Sequence, residues 1–406
     1  MIIRARVVAP MAGEPIEDGA VVVEGSKIAG VGRFADVKRD GSGEFLDLGE
    51  QILLPGLINA HCHLDYTALR GKIAPQQSFA NWIVAINVAK AALSETDYLD
   101  SISAGLAEAR QFGTTSLMNL EAFPELLPRL LRPPVRVWWC AEMIDIREPV
   151  NAQKVFERLC ELFRSRRDWL GGVGLAPHAP YTASRQLYSN AAEIAREEGI
   201  PFTTHLAESS EEMQMFRDAS GPAYDFLESI GRPMEDCGHK TPLSFLMRNQ
   251  RISEHWLIAH LNELEEGDFE LLARAPRFHL VHCPRSHSYF GHAPFAFERL
   301  RALGFNICLG TDSLASNSSL SMFAEMREVL RNEAWLSPRE ALEMATVNAA
   351  AAVGQRNVLG QIRPGFYADL IALPNIQSDG NVFESIVSFQ GAVPWMMVNG
   401  ETANSI

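Results

Sequence analysis

The stretch LPGLINAHCHLDYT, residues 54–67, holds two histidines one residue apart, His61 and His63, directly after an apolar run with a Pro-Gly turn. Pro55 and Gly56 are read as turning the chain into a strand formed by Leu57 to Ala60. Residues two apart on a strand point to the same face. In a closed barrel that face is the interior, where two imidazoles are costly to bury unless something uses their ring nitrogens. Taken alone, the pair leaves two readings open. It is either half of a metal shell at a barrel mouth, or two hydrogen-bonded histidines that fall close together.

Seven more strand-like runs follow: TTSLMNL, RVWWCAEMI, VGLAPHAPYT, PFTTHLAE, WLIAHL, FHLVHCP and NICLGTDS. Between them lie amphipathic stretches such as YLDSISAGLAEARQFG and RQLYSNAAEIAREEG, apolar at i, i+3, i+4 spacing. Eight strands, each followed by helix, predict an α/β fold, a (β/α)8 TIM-like barrel over residues 56–361. The segments 1–55 and 362–406 are instead short Val/Ile/Leu-rich runs between Gly and Asp-Gly breaks. They are expected to pair into one small β-sandwich domain interrupted by the barrel.

Bulk properties narrow the partners. The 406 residues are 47% hydrophobic and 21% charged, with a net charge of −14 and no Lys/Arg run. A nucleic-acid face or docking on an anionic membrane is therefore not expected, and a small-molecule substrate is. The six cysteines, at 62, 140, 160, 237, 283 and 308, form no C-x-x-C pair and sit in apolar contexts, as reduced thiols do. The N-terminus is too broken by charge and proline for a signal peptide, and no apolar run reaches the roughly 20 residues of a membrane span. A soluble cytoplasmic protein is expected, with homo-oligomer formation left open.

A barrel carries its chemistry at the C-terminal ends of its strands. LINAHCH ends in His61 and His63, LAPHAPYT carries His178, TTHLAE carries His205 and Glu208, LIAHL carries His260, and LGTDS carries Asp312. His205 and Asp312 tip the reading of the first pair: three imidazoles and a carboxylate, with a position left for water, suit Zn²⁺ or another first-row divalent ion. His239, His255, His279, His287 and His292 are read as surface or locally hydrogen-bonded residues in helices or loops. His282, at the end of the seventh strand, is open to facing the pocket. Phe79, Trp82 and Tyr181 are read as pocket walls or as core packing.

These residues resemble the amidohydrolase superfamily, in its deaminase/chlorohydrolase branch. The matches run from LPGLINAHCHL through GTTS, APHAPYT, THLAES, AHL and LGTDSLAS to ATVNAAAAVG and the closing PGFYADL, with CPRSH where relatives carry an Asn-Pro-x-Ser-Asn type segment. The resemblance implies a TIM-like barrel with an N/C-terminal β-sandwich. It implies His61, His63, His205 and Asp312 as metal ligands, Glu208 and His260 with Asp312 as the catalytic groups, and His178 against substrate. Branches that use two metals carry a bridging carboxylated lysine after strand four. GLAPHAPYT has no lysine, so one divalent ion is expected, Zn²⁺ with Fe²⁺ as the alternative.

Hydrolytic deamination of an aromatic heterocycle is the activity the resemblance implies, with Glu208 moving protons to the ring and the leaving amine. In relatives acting on adenosine derivatives, an acid in the helix after the first-loop tryptophan holds the ribose hydroxyls. Here Trp82 is followed by IVAINVAKAAL, with no acid until Glu95. Arg285 and His287 in CPRSHSYF bring extra basic groups toward the seventh loop. Arg285 is therefore expected to meet a carboxylate-bearing substrate, such as the adenine nucleoside aminodeoxyfutalosine. The alternatives are deamination of guanine, a pterin or a pyrimidine, and hydrolysis of chloride or a cyclic amide. A non-catalytic scaffold is disfavoured because all six site positions are intact.

Overall fold

The computed structural model describes residues 1–37, 44–375 and 381–402, so the expected terminal segment 362–406 is described in part. Eight parallel strands follow in spatial order: β1 (Leu57–His63), β2 (Thr114–Glu121), β3 (Arg136–Met143), β4 (Gly171–Pro177), β5 (Phe202–Leu206), β6 (Trp256–His260), β7 (His279–His282) and β8 (Asn306–Leu309). A ninth short piece, Asp312–Ser313, follows β8 and pairs in parallel with β1. The last strand segment thus returns to the first, and the sheet curls round. All residues of β1, β2, β5 and β6 are buried. Strands covered on both faces have no solvent side to make polar, which explains why these runs do not alternate strictly.

Helices wrap the outside where the amphipathic segments fall, including Glu95–Gln111, opened by a Ser94–Asp97 capping box, and Arg185–Glu198, capped by Ser184. Two boundaries differ from the sequence reading. β1 runs on to His63 and does not stop at Ala60, so both histidines belong to the strand. NICLGTDS is not one strand but breaks at Gly310–Thr311. A Cβ on Gly310 would lie 2.8 Å from the His61 Cβ and carbonyl oxygen. The break lets β1 approach that closely, and Asp312 then adopts a left-handed φ of 57°.

The chain ends form a second sheet of eight strands. Gln51–Pro55 pairs antiparallel with Leu370–Pro374, joining the N-terminal and C-terminal segments, and Ile3, Val8, Leu53, Leu370 and Met397 pack in its core. All eight strands belong to one hydrogen-bonded sheet. All six cysteines are unpaired, and no helix among the described residues is long and apolar enough to cross a membrane.

One buried ion pair ties the two sheets together. Arg136, the first residue of β3, donates from Nε (2.6 Å) and Nη2 (3.2 Å) to the Asp369 carboxylate, and from Nη2 to Asn399 Oδ1 at 2.7 Å. Its side chain is 7% exposed and that of Asp369 3%. Removing one partner of such a pair leaves an uncompensated buried charge. Arg136→Ala is expected to lower unfolding stability by about 3–5 kcal/mol, read as a lower urea midpoint at unchanged slope. An unchanged midpoint contradicts the role of the pair.

Candidate active site

The strand ends are stitched to one another by main-chain hydrogen bonds that fix the spacing of the side chains above them. His178 N donates to Met143 O (3.0 Å), His205 N to His178 O (2.8 Å), Leu261 N to Leu206 O (2.9 Å) and Thr311 N to His61 O (3.0 Å). Asn59 reaches from β1 to the Gly-Thr-Asp turn, its Nδ2 donating to Thr311 Oγ1 at 2.7 Å and its Oδ1 accepting from Thr311 N at 3.1 Å. Ala207, His260, Leu261 and Asp312 all have positive φ. That conformation is uncommon for residues with a Cβ, and it clusters where backbone is bent to aim side chains.

The result is a buried convergence of donor atoms. His63 Nε2 lies 3.3 Å from His205 Nε2. Asp312 Oδ1 lies 3.7 Å from His61 Nε2 and 3.8 Å from His63 Nε2. In the groups His61–His63–His205 and His61–His260–Asp312, all donor atoms fall within 4.8 Å of one another. Both ring nitrogens of His61, Nδ1 of His63 and Nε2 of His260 are buried with no hydrogen-bond partner. Buried polar atoms without partners are rare and costly. Nitrogens left over in this way, beside a carboxylate, suit a divalent metal ion.

Electrostatics divides the acids. Burial pushes the imidazoles of His63, His205 and His260 below the usual range, His205 to about 4, so they are neutral and ligand-competent at physiological pH. Asp312 is also buried, which pushes its carboxyl upward, but the imidazoles of His61, His260 and His63 gathered around it favour its ionised form and hold it well below the ordinary carboxylate value. Glu208 goes the other way. Burial first, then the charges of Asp312 and Glu212, raise its carboxyl well above the ordinary value. Its oxygen Oε1 is 3.8 Å from His260 Nε2. The main chain of Glu208 is held at both ends, its N–H by Glu212 Oε2 (2.8 Å) and its carbonyl by Asn262 Nδ2 (3.0 Å).

His63, His205, Glu208, His260 and Asp312 line a cavity of about 670 Å³. Its walls include Phe79, Trp82, His178 and Tyr181, with Ile83, Ile144 and Ile146. His178 Nδ1 is engaged with Thr182 Oγ1 at 2.6 Å, which leaves Nε2 for a ligand.

Residues 52–401 match the family described as Amidohydrolase family. The chain belongs to the amidohydrolase family. A 5-methylthioadenosine/S-adenosylhomocysteine deaminase of Pyrococcus furiosus is 30% identical over 400 residues, covering 94% of this chain and 89% of the relative. A 5'-deoxyadenosine deaminase of Methanocaldococcus jannaschii is 27% identical over 404 residues, covering 94% and 89%. The crystal structure of an adenosine deaminase from Xanthomonas campestris with bound zinc superposes with a TM-score of 0.84 at 25% identity, covering 99% of this chain and 92% of that one.

Within this amidohydrolase, His61, His63, His178, His205, Glu208, His260, Asp312 and Trp82 come together, and Arg285 does not. Pro284 opens the helix Pro284–Phe290, and Arg285 on its first turn reaches outward. Its guanidinium donates to the hydroxyls of Ser318 and Ser319, and its N–H to Glu325 Oε2 at 3.0 Å. It lines a separate surface depression, not the cavity. His282 also stays out of the cavity lining and stacks on Phe295 at 4.2 Å. His287 is not a surface residue but buried, whereas His292 is half-buried beside a second depression. The His287 ring meets those of His282 and Phe295 edge-on, and His292 lies against His287 and Phe290.

Several site residues escape the motif reading. Ser286 Oγ (2.6 Å) and Ser316 Oγ (3.2 Å) donate to Asp312 Oδ2, leaving Oδ1 toward the histidines. Ser286 lies in CPRSH and Ser316 in LGTDSLAS, so a motif signal existed, but serine alone does not distinguish a carboxylate clamp from a helix cap. Glu142 and Lys90, on the cavity wall, carried no signal beyond their charge.

Burial disfavours the charged form of His205 and pushes its imidazole down to about 4, so the neutral form, the one able to bind a metal, persists well below the ordinary value of 6.5. Bound metal per chain, measured after equilibrium dialysis at limiting metal, is expected to hold steady from neutral pH until pH falls toward about 4. Loss centred on 6.5 contradicts the assignment.

Proposed function

We propose that this amidohydrolase is a metal-dependent deaminase that replaces the exocyclic amine of an adenine nucleoside derivative by a carbonyl, consuming water and releasing ammonia. The observation that carries the reading is the split between two neighbouring buried carboxyls: Glu208 held protonated and Asp312 held ionised at one histidine cluster. Groups driven apart in this way by their surroundings divide into proton donor and proton acceptor. Relatives acting on 5-methylthioadenosine, S-adenosylhomocysteine and 5'-deoxyadenosine support the substrate class.

In this reading His61, His63, His205 and Asp312 hold one divalent ion, Zn²⁺ foremost. Such an ion, when bound, acts as a Lewis acid and lowers the pKa of its water to roughly 7. Asp312 accepts the proton of the attacking water. His260, neutral and with Nε2 unpartnered, orients that water and faces the tetrahedral centre as charge develops there. Glu208 gives its proton to a ring nitrogen beside the amine-bearing carbon. It then takes up the remaining O–H proton of the added water and passes it to the departing amine as the carbonyl forms, and the proton held by Asp312 restores Glu208. His178 Nε2 and Trp82 contact the nucleoside. With Arg285 turned away, recognition of a carboxylate as in aminodeoxyfutalosine does not rest on that residue, and the isoleucines of the cavity lining, Ile83, Ile144 and Ile146, suit 5'-substituted adenosines with an apolar substituent. We also read segments 1–55 and 362–406 as one β-sandwich unit set against the barrel 56–361.

Zinc-loaded protein is expected to release one ammonia per 5'-deoxyadenosine or 5'-methylthioadenosine converted to the hypoxanthine nucleoside. Ammonia only from guanine, a pterin or cytosine, or chloride from a chlorotriazine, contradicts the substrate class. Glu208→Gln removes the proton shuttle and is expected to lower kcat by about 10²–10⁴-fold at unchanged metal content. Because the Glu208 pKa is raised, kcat/KM is expected to persist through neutral pH and to fall on the alkaline side as the proton is lost. An alkaline limb that stays in Glu208→Gln contradicts its assignment to this group.

A further inference from the structure

His63 has one ring nitrogen committed and one orphaned. Nε2 faces His205 Nε2 and Asp312, where the ion belongs, so the proton of the neutral ring sits on Nδ1. Nδ1 is buried and has no hydrogen-bond partner. The nearest carboxylate is Glu142 on β3, with Oε1 at 3.8 Å and a side chain only 5% exposed. No described residue donates a hydrogen bond to that carboxylate. The cation closest in the field of Glu142 is Lys90, whose Nζ donates to Tyr66 Oη, and the Tyr66 ring stacks on His63 at 5.6 Å and 6°.

Glu142 has a second candidate use, because it also groups with His178 and His205 within 4.8 Å. A second ion there is ruled out by His205 itself. Its Nε2 is already turned to the His63 side and its Nδ1 to the His178 carbonyl at 2.8 Å, so it has no nitrogen to spare. The Glu142 carboxylate is left with one orphan donor in reach.

We propose that Glu142 is a positioning residue for His63: its carboxylate accepts Nδ1–H, fixes the tautomer and aims Nε2 at the metal. The remaining gap to a normal hydrogen bond is about 0.6–1 Å, which a small turn of either side chain closes. Acceptors of this kind raise ligand basicity and hold ring orientation. The proposal rests on the metal-ligand reading above.

The test is Zn²⁺ affinity of the full-length protein by competition with a chromophoric chelator. Glu142→Ala is expected to weaken zinc binding by about 10–100-fold. Glu142→Gln, whose amide oxygen accepts the same N–H, is expected to retain most of the affinity. At saturating zinc the KM of Glu142→Ala is expected to match the wild type. Glu142→Leu keeps the volume without an acceptor and replaces the alanine variant if that one does not fold. Equal zinc affinity in all variants overturns the proposal, as does a raised KM at unchanged affinity, which marks a substrate contact instead. Wild-type protein that binds no zinc, with His61→Ala no different, defeats the metal reading itself and is thereby distinguishable.

Discussion

Burying neutral imidazoles around one ionised carboxylate is the constraint on which the rest of this structure depends. Each ring taken out of water loses its solvent hydrogen bonds, and several of its nitrogens here find no protein partner in exchange. Such a cluster is tolerable only if something else occupies the space between the nitrogens and if the backbone leaves no other arrangement open. The parallel sheet supplies the second condition. Main-chain bonds from His178 to His205 and from His61 to Thr311 lock adjacent strand ends in register. The absence of a side chain on Gly310 lets the last segment close against β1.

The same burial produces chemistry from two carboxyls that are alike in solution. Asp312 sits among imidazoles and takes two serine hydroxyls, so the ionised form prevails. Glu208 sits a few ångströms away among acids and apolar walls, so the protonated form prevails. Both states follow from neighbours fixed by the fold, and neither group needs an unusual residue beside it. A deaminase needs this pairing, because one step takes a proton from water and another delivers a proton to nitrogen.

Much of this is legible in the sequence, for a physical reason. A strand buried on both faces seldom carries ionisable residues, so a histidine or carboxylate at its end stands out. That contrast, repeated at several strand ends, marks His61, His63, His205, His260 and Asp312. The C-terminal segment also declares its pairing with the N-terminal one through matching β-rich runs. What stays hidden depends on direction. Arg285 sits in a conspicuous motif, yet the helix begun by Pro284 turns it to Ser318 and Ser319. His287 falls in loop-like sequence and still buries, because its ring meets His282 and Phe295 edge-on from the last turn of a short helix. Glu142 ends an ordinary strand and gains meaning only from the orphan nitrogen opposite it. The break inside NICLGTDS arises from a close contact with β1, some 250 residues away in the chain.

The most direct test of the central claim is anomalous diffraction at the zinc edge from crystals of the zinc-loaded protein. The account predicts one strong peak per chain, at roughly 2.0–2.2 Å from nitrogens of His61, His63 and His205 and from Asp312 Oδ1. A peak elsewhere in the cavity, or these four side chains surrounding no metal at all, would contradict it.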